Sequence, residues 1–486
     1  GFAFGTSVAQ VRAASPSEHR VSSQSVFEYL YFHVIPGPRT MFEGIVRLQP
    51  GEYALFKDGL VKQDFHWTPR FVESESAPLQ ELERQFIDAI EQGVRESMTG
   101  ASGRVGAFLS GGTDSSTIAG LATRVSGSPI DTYSIGFNAA GYDEMEYARI
   151  ASRHFGTRHH EYYVTPSDVV NAIGPIARIH AQPFGNASAV PTFYCARMAR
   201  ADGIAKMLAG DGGDELFGGN ARYAKQYLFA LYERVPRALR ALLIEPICNA
   251  LAHGPRLPGI CKGVSYVQQA MQPMPARMES YNGLVRLGLD TVLTHSMRAA
   301  IDPDGPLEAI SRWYFNPTAH TQINRMLATD FKFTLADSDL PKVTTSCRLV
   351  GMPVAYPMLD DVVVDFSLRL HPDLKLKRTA LRWFFKHALR DFLPEAILRK
   401  SKHGFGLPFG EWALSHAPLR DLAFDSLNGL KQRDFVRAEF IDQLRTQRLI
   451  EHPGYYGPLV WVLMMLEQWF VHHASRSSID WRPLAS

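Results

Sequence analysis

Residues Ser110-Gly111-Gly112-Thr113-Asp114-Ser115-Ser116 place two glycines, three serines, a threonine and a carboxylate in seven consecutive positions. Glycine lets a backbone turn sharply and approach an anion, while hydroxyls and the first N–H groups of a helix donate to phosphate oxygens. An aspartate in such a cradle repels phosphate unless a cation lies between them, so Asp114 reads as a magnesium ligand. An ordinary strand–turn–helix connection with a Ser/Asp cap would account for a lone Ser-Gly-Gly. Seven such residues together favour nucleotide binding. The loop lacks the lysine of the Gly-x4-Gly-Lys-Ser/Thr pattern, so it is a phosphate cradle of another kind.

A second constellation is Gly210-Asp211-Gly212-Gly213-Asp214-Glu215-Leu216-Phe217-Gly218-Gly219. Three carboxylates in so glycine-rich a loop are costly without a partner, and a divalent cation or an ammonium-type substrate relieves the repulsion. Asp214 and Glu215 also suit the first turn of a helix, whose dipole favours negative charge. Asp114 and Asp214 together read as the ligands of magnesium on ATP phosphates. A third cluster, Arg399-Lys400-Ser401-Lys402-His403-Gly404-Phe405-Gly406-Leu407-Pro408, is either a solvated basic face or a constrained turn. In the second case Lys402, rather than Lys400, holds a fixed ammonium for charge building on phosphorus.

The elements that must position these loops follow from hydrophobic patterning. Apolar runs Val105 to Leu109 and Lys206 to Ala209 lead directly into the two acidic loops. Strand and helix patterns alternate through Thr117 to Val125, Ile130 to Phe137, Asp143 to Phe155 and His159 to Val164. Such alternation predicts a parallel sheet with right-handed crossovers and a ligand beyond the carboxyl ends of its strands. Before it, residues 1 to 67 hold short apolar runs, Gly44 to Leu48 and Glu52 to Phe56, broken at Pro36-Gly37-Pro38 and Pro50-Gly51, which suit hairpins of a β-rich domain. Residues 68–78 read as a linker, Leu79 to Met98 as an amphipathic helix, and the chain after Tyr223 as largely helical.

With 486 residues the chain exceeds what one hydrophobic core usually supports, which predicts two domains. The 51 basic residues balance 49 acidic ones, so no overall field draws in nucleic acid or an acidic membrane surface. Cys195, Cys248, Cys261 and Cys347 have neither metal-site spacing nor the density of a disulfide scaffold, and a reducing cytoplasm is the expected setting. Apolar stretches such as Leu239 to Leu251 are interrupted by Arg240 and Glu245 and fall short of a membrane span. No signal peptide is visible, and an opening on Gly1 in mid-domain leads us to expect sequence upstream.

The first loop resembles that of the ATP pyrophosphatases, which cut ATP between its α and β phosphates. The ordered set of three motifs between residues 105 and 412 resembles the asparagine synthetase family, whose pattern is Ser-Gly-Gly-x-Asp-Ser-Ser, Ser-Gly-Glu/Asp-Gly-x-Asp-Glu-Leu and Lys-x-Gly-Phe-x-x-Pro. Arg39-Thr40-Met41-Phe42 and Leu48-Gln49-Pro50-Gly51 are similar to the closing segment of that family's glutaminase domain. The resemblance implies an α/β fold, a doubly wound parallel sheet of the ATP pyrophosphatase type with a helical C-terminal part over residues 79–486, preceded by a partial glutaminase-like domain over 1–67. It implies that Leu109 and Ile135 line the adenine pocket, that Ser110, Gly111, Gly112, Ser115, Ser116 and Gly210 contact the nucleotide, and that Asp114 and Asp214 bind magnesium. Asp211 occupies the position of the family's catalytic glutamate, and Lys402 that of the lysine stabilising the adenylation transition state.

Departures accompany the match. The family's amino-terminal cysteine, which releases ammonia from glutamine, has no counterpart here before Cys195. Lys-Val-Asp-Arg reads Lys342-Val343-Thr344-Thr345, and Glu-Val-Arg-Val-Pro-Phe-Leu-Asp reads Pro353-Val354-Ala355-Tyr356-Pro357-Met358-Leu359-Asp360. A further Asp-Glu-Pro is Ala181-Gln182-Pro183. A small zwitterion needs fixed charges for its amino and carboxyl groups, so these neutral residues bear on the acceptor. The expected activity is adenylation of a carboxylate by ATP, aspartate by default, followed by ammonia transfer to give asparagine with AMP and pyrophosphate. Rival expectations are a sugar uronate, a carboxylate closed onto an internal amine, or a nucleotide-binding module without catalysis. The expected partners are a small carboxylate with ammonia or glutamine, and a homodimer is the assembly considered.

Overall fold

The computed structural model describes residues 2–15, 19–74, 77–139, 141–252, 258–400 and 406–473. A hairpin of β1 (Glu52–Lys57) and β2 (Leu60–Phe65) precedes a five-stranded parallel sheet. Its strands are β3 (Val105–Phe108), β4 (Asp131–Phe137), β5 (Arg158–Val164), β6 (Lys206–Leu208) and β7 (Val354–Ala355), in the spatial order β5-β4-β3-β6-β7. Every residue of β4 is buried, as expected of a strand covered on both faces. From β3 the chain first builds outward through β4 and β5, then returns to the other side of β3 for β6. The order therefore reverses between β3 and β6, and the loops leaving these two strands open side by side.

The helices that hold the sheet obey the 3.6-residue period. Leu79–Met98 buries Phe86, Ala89, Ile90, Gly93 and Val94 along one face and turns its charges outward. The helix Pro453–His473 is apolar on nearly all sides and correspondingly buried from Val460 to Leu466. Its one buried acid, Glu467, is paired with Arg433. No helix among the described residues is long and apolar enough to cross a membrane.

From Glu52 onward the elements expected from patterning occur with small shifts of their ends, and the helix after the first loop begins earlier, over Thr113–Ser126, whereas Gly44 to Leu48, read as part of a hairpin, makes only an isolated bridge of Val46 with Arg39. Three other elements differ, among them Val8–Ala14, a helix within the stretch read as hairpins. β7 is only two residues long, too short to show as a pattern, yet it completes the sheet through the pairs Met207 with Val354 and Leu208 with Ala355. Ser23–Phe32, within the stretch read as hairpins, is a helix capped by the Ser22 side chain. Its aromatic, β-favouring composition yields to tertiary packing. Tyr29 is fully buried and its hydroxyl donates to the Val462 carbonyl at 2.8 Å, Phe42 packs on Trp469, and Arg12 stacks on Phe42. Residues 21–45 thus share one hydrophobic core with the C-terminal helices. The hairpin β1–β2 instead leaves Tyr53, Leu55, Phe56, Leu60 and Val61 exposed.

That shared core yields a test. Tyr29→Ala should lower the unfolding free energy by about 3–5 kcal/mol, the range for losing a fully buried aromatic side chain, whereas Tyr53→Ala on the hairpin should change it by less than about 0.5 kcal/mol. Urea unfolding followed by tryptophan fluorescence measures both, and equal effects would separate residues 21–45 from the core.

Candidate active site

The loop after β3 is held in shape by its own hydroxyls. Ser115 Oγ accepts from the Ser110 amide at 3.2 Å, lies 3.0 Å from Ser110 Oγ and donates to the Gly112 carbonyl at 3.3 Å. Gly111 adopts a left-handed φ of 69°, and Gly112 caps the helix Thr113–Ser126 without any side-chain hydrogen bond. The first N–H groups of this helix therefore face the loop without a side-chain acceptor from the cap, the usual arrangement for an anion. The loop after β6 comes against it backbone to backbone. A Cβ on Gly210 would lie 2.8 Å from the Ser115 nitrogen and 3.0 Å from the Asp114 carbonyl carbon, so only glycine lets the loops approach this closely.

Their meeting brings Asp114 and Asp214 to a single cation. The Arg382 guanidinium is bidentate on Asp114, with Nη2 2.6 Å from Oδ2, and also contacts Asp214 and, at 2.7 Å, the Thr113 hydroxyl. Arg382 is 6% exposed and enters the helix Trp383–Ala388 with a left-handed φ of 52°. Carboxylates close enough to share one guanidinium are close enough to share a divalent ion, which takes one or two carboxylates and completes its shell with phosphate and water oxygens. Among the described residues no group of three or more acidic, histidine or cysteine ligands forms a closed metal cage. This donor set suits magnesium that arrives on a nucleotide.

Two cavities adjoin along this line. The smaller, about 260 Å³, is lined by Leu109, Ser110, Gly112, Asp114, Ser115, Ile135, Gly210, Asp211 and Asp214 among others. The larger, about 780 Å³, also touches Ser110, Gly112, Asp114 and Asp214, but its outer wall carries Arg382, Lys386, Arg390 and Lys400. Gly111 and Ser116, named from the sequence, line neither cavity. The Gly111 carbonyl accepts a 3.4 Å hydrogen bond from Lys400, and Ser116 is fully buried in the helix. Lys402 lies outside the described residues.

Three residues gain a place that patterning did not give them. Lys400, read as the lesser lysine of its cluster, is 8% exposed, pairs with Glu144 at 2.9 Å and sits 4.6 Å over the Tyr147 ring, so it belongs to the loop's support rather than to a solvated face. Lys342 approaches Asp211 at 3.4 Å and Asp339 at 3.1 Å. Asp339 ends a π-helical segment, Phe331–Asp339, inserted between the helices Gln322–Asp330 and Leu340–Leu349, and such bulges re-aim side chains at functional sites. Burial raises the pKa of Asp211 while Lys342 partly offsets it. Burial alone would lower Lys342, but Asp211 and Asp339 hold it above its ordinary value. Burial, reinforced by Asp339, pushes Glu215 up to about 8, so at neutral pH it is largely protonated.

The shared guanidinium predicts a metal response. In magnesium-free buffer Arg382→Gln should lose roughly 1–3 kcal/mol of stability, because two facing carboxylates lose their counter-charge, and millimolar magnesium should restore much of the loss. Thermal melts with and without magnesium test this. A variant indifferent to magnesium would remove Asp114 and Asp214 as a cation pair.

Residues 85–471 match the family model for Asparagine synthase. Asparagine synthetase [glutamine-hydrolyzing] 1 of Bacillus subtilis is 25% identical over 396 residues, covering 81% of this chain and 60% of that protein. A putative asparagine synthetase [glutamine-hydrolyzing] of Mycobacterium tuberculosis is 26% identical over 472 residues, covering 93% of this chain and 68% of that one. The chain thus spans 60% of the Bacillus relative's length. A U34-tRNA thiolase from Methanococcus maripaludis is similar at 12% identity and a TM-score of 0.22, over 58% of this chain and 86% of that one, too distant to add to the fold assignment. With the motif-bearing loops and the sheet that positions them both inside the matched region, the chain belongs to the asparagine synthase family.

Proposed function

We propose that this chain is an ATP-dependent amide-forming ligase. The observation that carries the reading is the position of Asp114 and Asp214 at the boundary between a nucleoside-sized cavity and a basic one. ATP laid across that boundary puts adenine between Leu109 and Ile135 and the α-phosphate against Ser110, Gly112 and Gly210, with the β and γ phosphates toward Arg382, Lys386 and Lys400. A magnesium ion held by Asp114 and Asp214 would neutralise phosphate charge and make pyrophosphate a better leaving group. An oxygen of the acceptor carboxylate bonds to the α-phosphorus as the bond to pyrophosphate breaks, giving an acyl-adenylate. A nitrogen nucleophile then attacks the acyl carbon, its proton passes to a base, and AMP departs with the C–O bond electrons.

Asp211 is the base we assign. It lines the nucleoside-side cavity, and its raised pKa strengthens a carboxylate that must accept a proton near neutrality. The Lys342 ammonium fixes its carboxylate in place. Lys402 keeps, in our reading, the transition-state role that the family pattern implies for it. The names of the bacterial relatives give those proteins asparagine synthesis with glutamine hydrolysis. For this chain we assign ammonia, free or delivered, as the nucleophile.

Asp211→Asn should leave acceptor-dependent exchange of labelled pyrophosphate into ATP within about threefold of wild type while reducing amide formation at least about a hundredfold, the scale of losing a general base. Parallel loss of both activities would return Asp211 to nucleotide binding.

A further inference from the structure

The near balance of basic and acidic residues over the whole chain conceals a local excess. Between residues 221 and 270 there are seven lysines and arginines against two acids, and both acids are engaged: Glu233 pairs with Arg277 at 2.7 Å and Glu245 accepts from the Tyr232 hydroxyl at 3.3 Å. Arg234 and Arg237 are exposed, and the Arg240 guanidinium lies 5.3 Å over the Tyr232 ring. None of the three has an acidic partner among the described residues. Arg234 also shares the rim of a cavity of about 550 Å³ with Lys377 and Arg378, where Asp373 is the one acid among the described lining residues, so the positive surface continues beyond this segment.

The same segment leaves aliphatic side chains in water. Residues 237–252 form one helical run, composed of Arg237–Leu239, a π-helical Arg240–Ile244 and Glu245–Ala252. Its inner side is short of apolar partners: Ile244 and Cys248 pack on a small cluster of Phe229, Tyr232, Val267 and Ala270. Leu239, Leu242, Leu243, Ile247 and Leu251, recurring every three or four residues, remain between 40% and 75% exposed. An exposed aliphatic stripe of this size marks an interaction surface.

The chemistry of the stripe selects its partner. Protein interfaces concentrate aromatic residues and methionine at their centres, and this stripe carries neither. A nucleic acid would match the arginines and leave the leucines in water. An anionic lipid surface satisfies both, because headgroup phosphates pair with arginine while the headgroup boundary takes up aliphatic area without asking for a shaped pocket. Too interrupted to span a bilayer, the run has the composition of a helix that lies along one.

We propose that residues 237–252, with Arg234 beside them, dock the chain peripherally on an anionic lipid surface. Leu239, Leu242, Leu243, Ile247 and Leu251 enter the headgroup boundary, and Arg234, Arg237 and Arg240 pair with lipid phosphates. None of these residues lines either cavity of the candidate active site, so the attachment is independent of the adenylation reading.

Co-sedimentation of the wild-type chain with vesicles tests this, comparing mixed phosphatidylglycerol and phosphatidylcholine with phosphatidylcholine alone. The chain should bind the mixed vesicles at least about tenfold more tightly than the neutral ones. Leu242→Ser with Leu243→Ser, and separately Arg234→Gln with Arg237→Gln, should each weaken binding to the mixed vesicles at least about tenfold, with the urea unfolding midpoint unchanged. Leu60→Ser, on the equally exposed hairpin, should leave binding at the wild-type level. Absence of wild-type binding to the mixed vesicles overturns the proposal, as does equal loss from Leu60→Ser. A dimer in gel filtration that Leu242→Ser dissociates would give the face to a second copy and overturn it too.

Discussion

The repulsion between Asp114 and Asp214 is the constraint around which the rest of the molecule is arranged. Each carboxylate follows a strand of the parallel sheet, and the reversal of strand order between β3 and β6 forces the two loops to open together. Gly210 lets their backbones touch, so the acids meet at a distance that only a shared cation makes tolerable. Arg382 supplies that cation in the structure described here, from a helix far along the chain. The same junction divides the space beyond the sheet into a nucleoside-sized cavity and a basic one. In the proposed reading that division suits cleavage of a nucleotide between its α and β phosphates, since the two product fragments would lie on opposite sides of the loops.

Support for the junction comes from both ends of the chain. Lys400 reaches the Gly111 carbonyl from the C-terminal part, and the π-helical segment Phe331–Asp339 presents Asp339 beside Lys342 and Asp211. The same segment carries Asp337, which accepts from the Arg47 guanidinium at 2.7 Å and pairs with the buried Lys332. One short bulged element thus contacts residues 37–47 on one side and Lys342, beside Asp211 in the smaller cavity, on the other. The packing of Tyr29 and Phe42 against the helix Pro453–His473 anchors that contact.

What was legible in the sequence was whatever its own neighbours determine. Two glycine-rich acidic loops, each directly after an apolar run, announced themselves because the cradle, its hydroxyls and its carboxylate are contiguous. The strands from β3 to β6 and the helix Leu79–Met98 followed from periodicity. The residues that complete the site were hidden because their partners are remote: Arg382 lies 268 positions from Asp114, and Lys342 lies 131 from Asp211. Lys342 stood out only through the family pattern, and nothing local to Arg382 marks it. The helix Ser23–Phe32 was obscured by aromatic residues that suit strands and helices alike, and β7 by its length of two residues.

The central claim is that a carboxylate oxygen attacks the α-phosphorus of ATP at this junction. It is tested most directly by supplying an active acceptor with both carboxylate oxygens labelled as ¹⁸O and analysing the products by mass spectrometry. The account predicts one ¹⁸O in each AMP formed and none in pyrophosphate. Label in inorganic phosphate alongside ADP, or AMP formed without label, would contradict it.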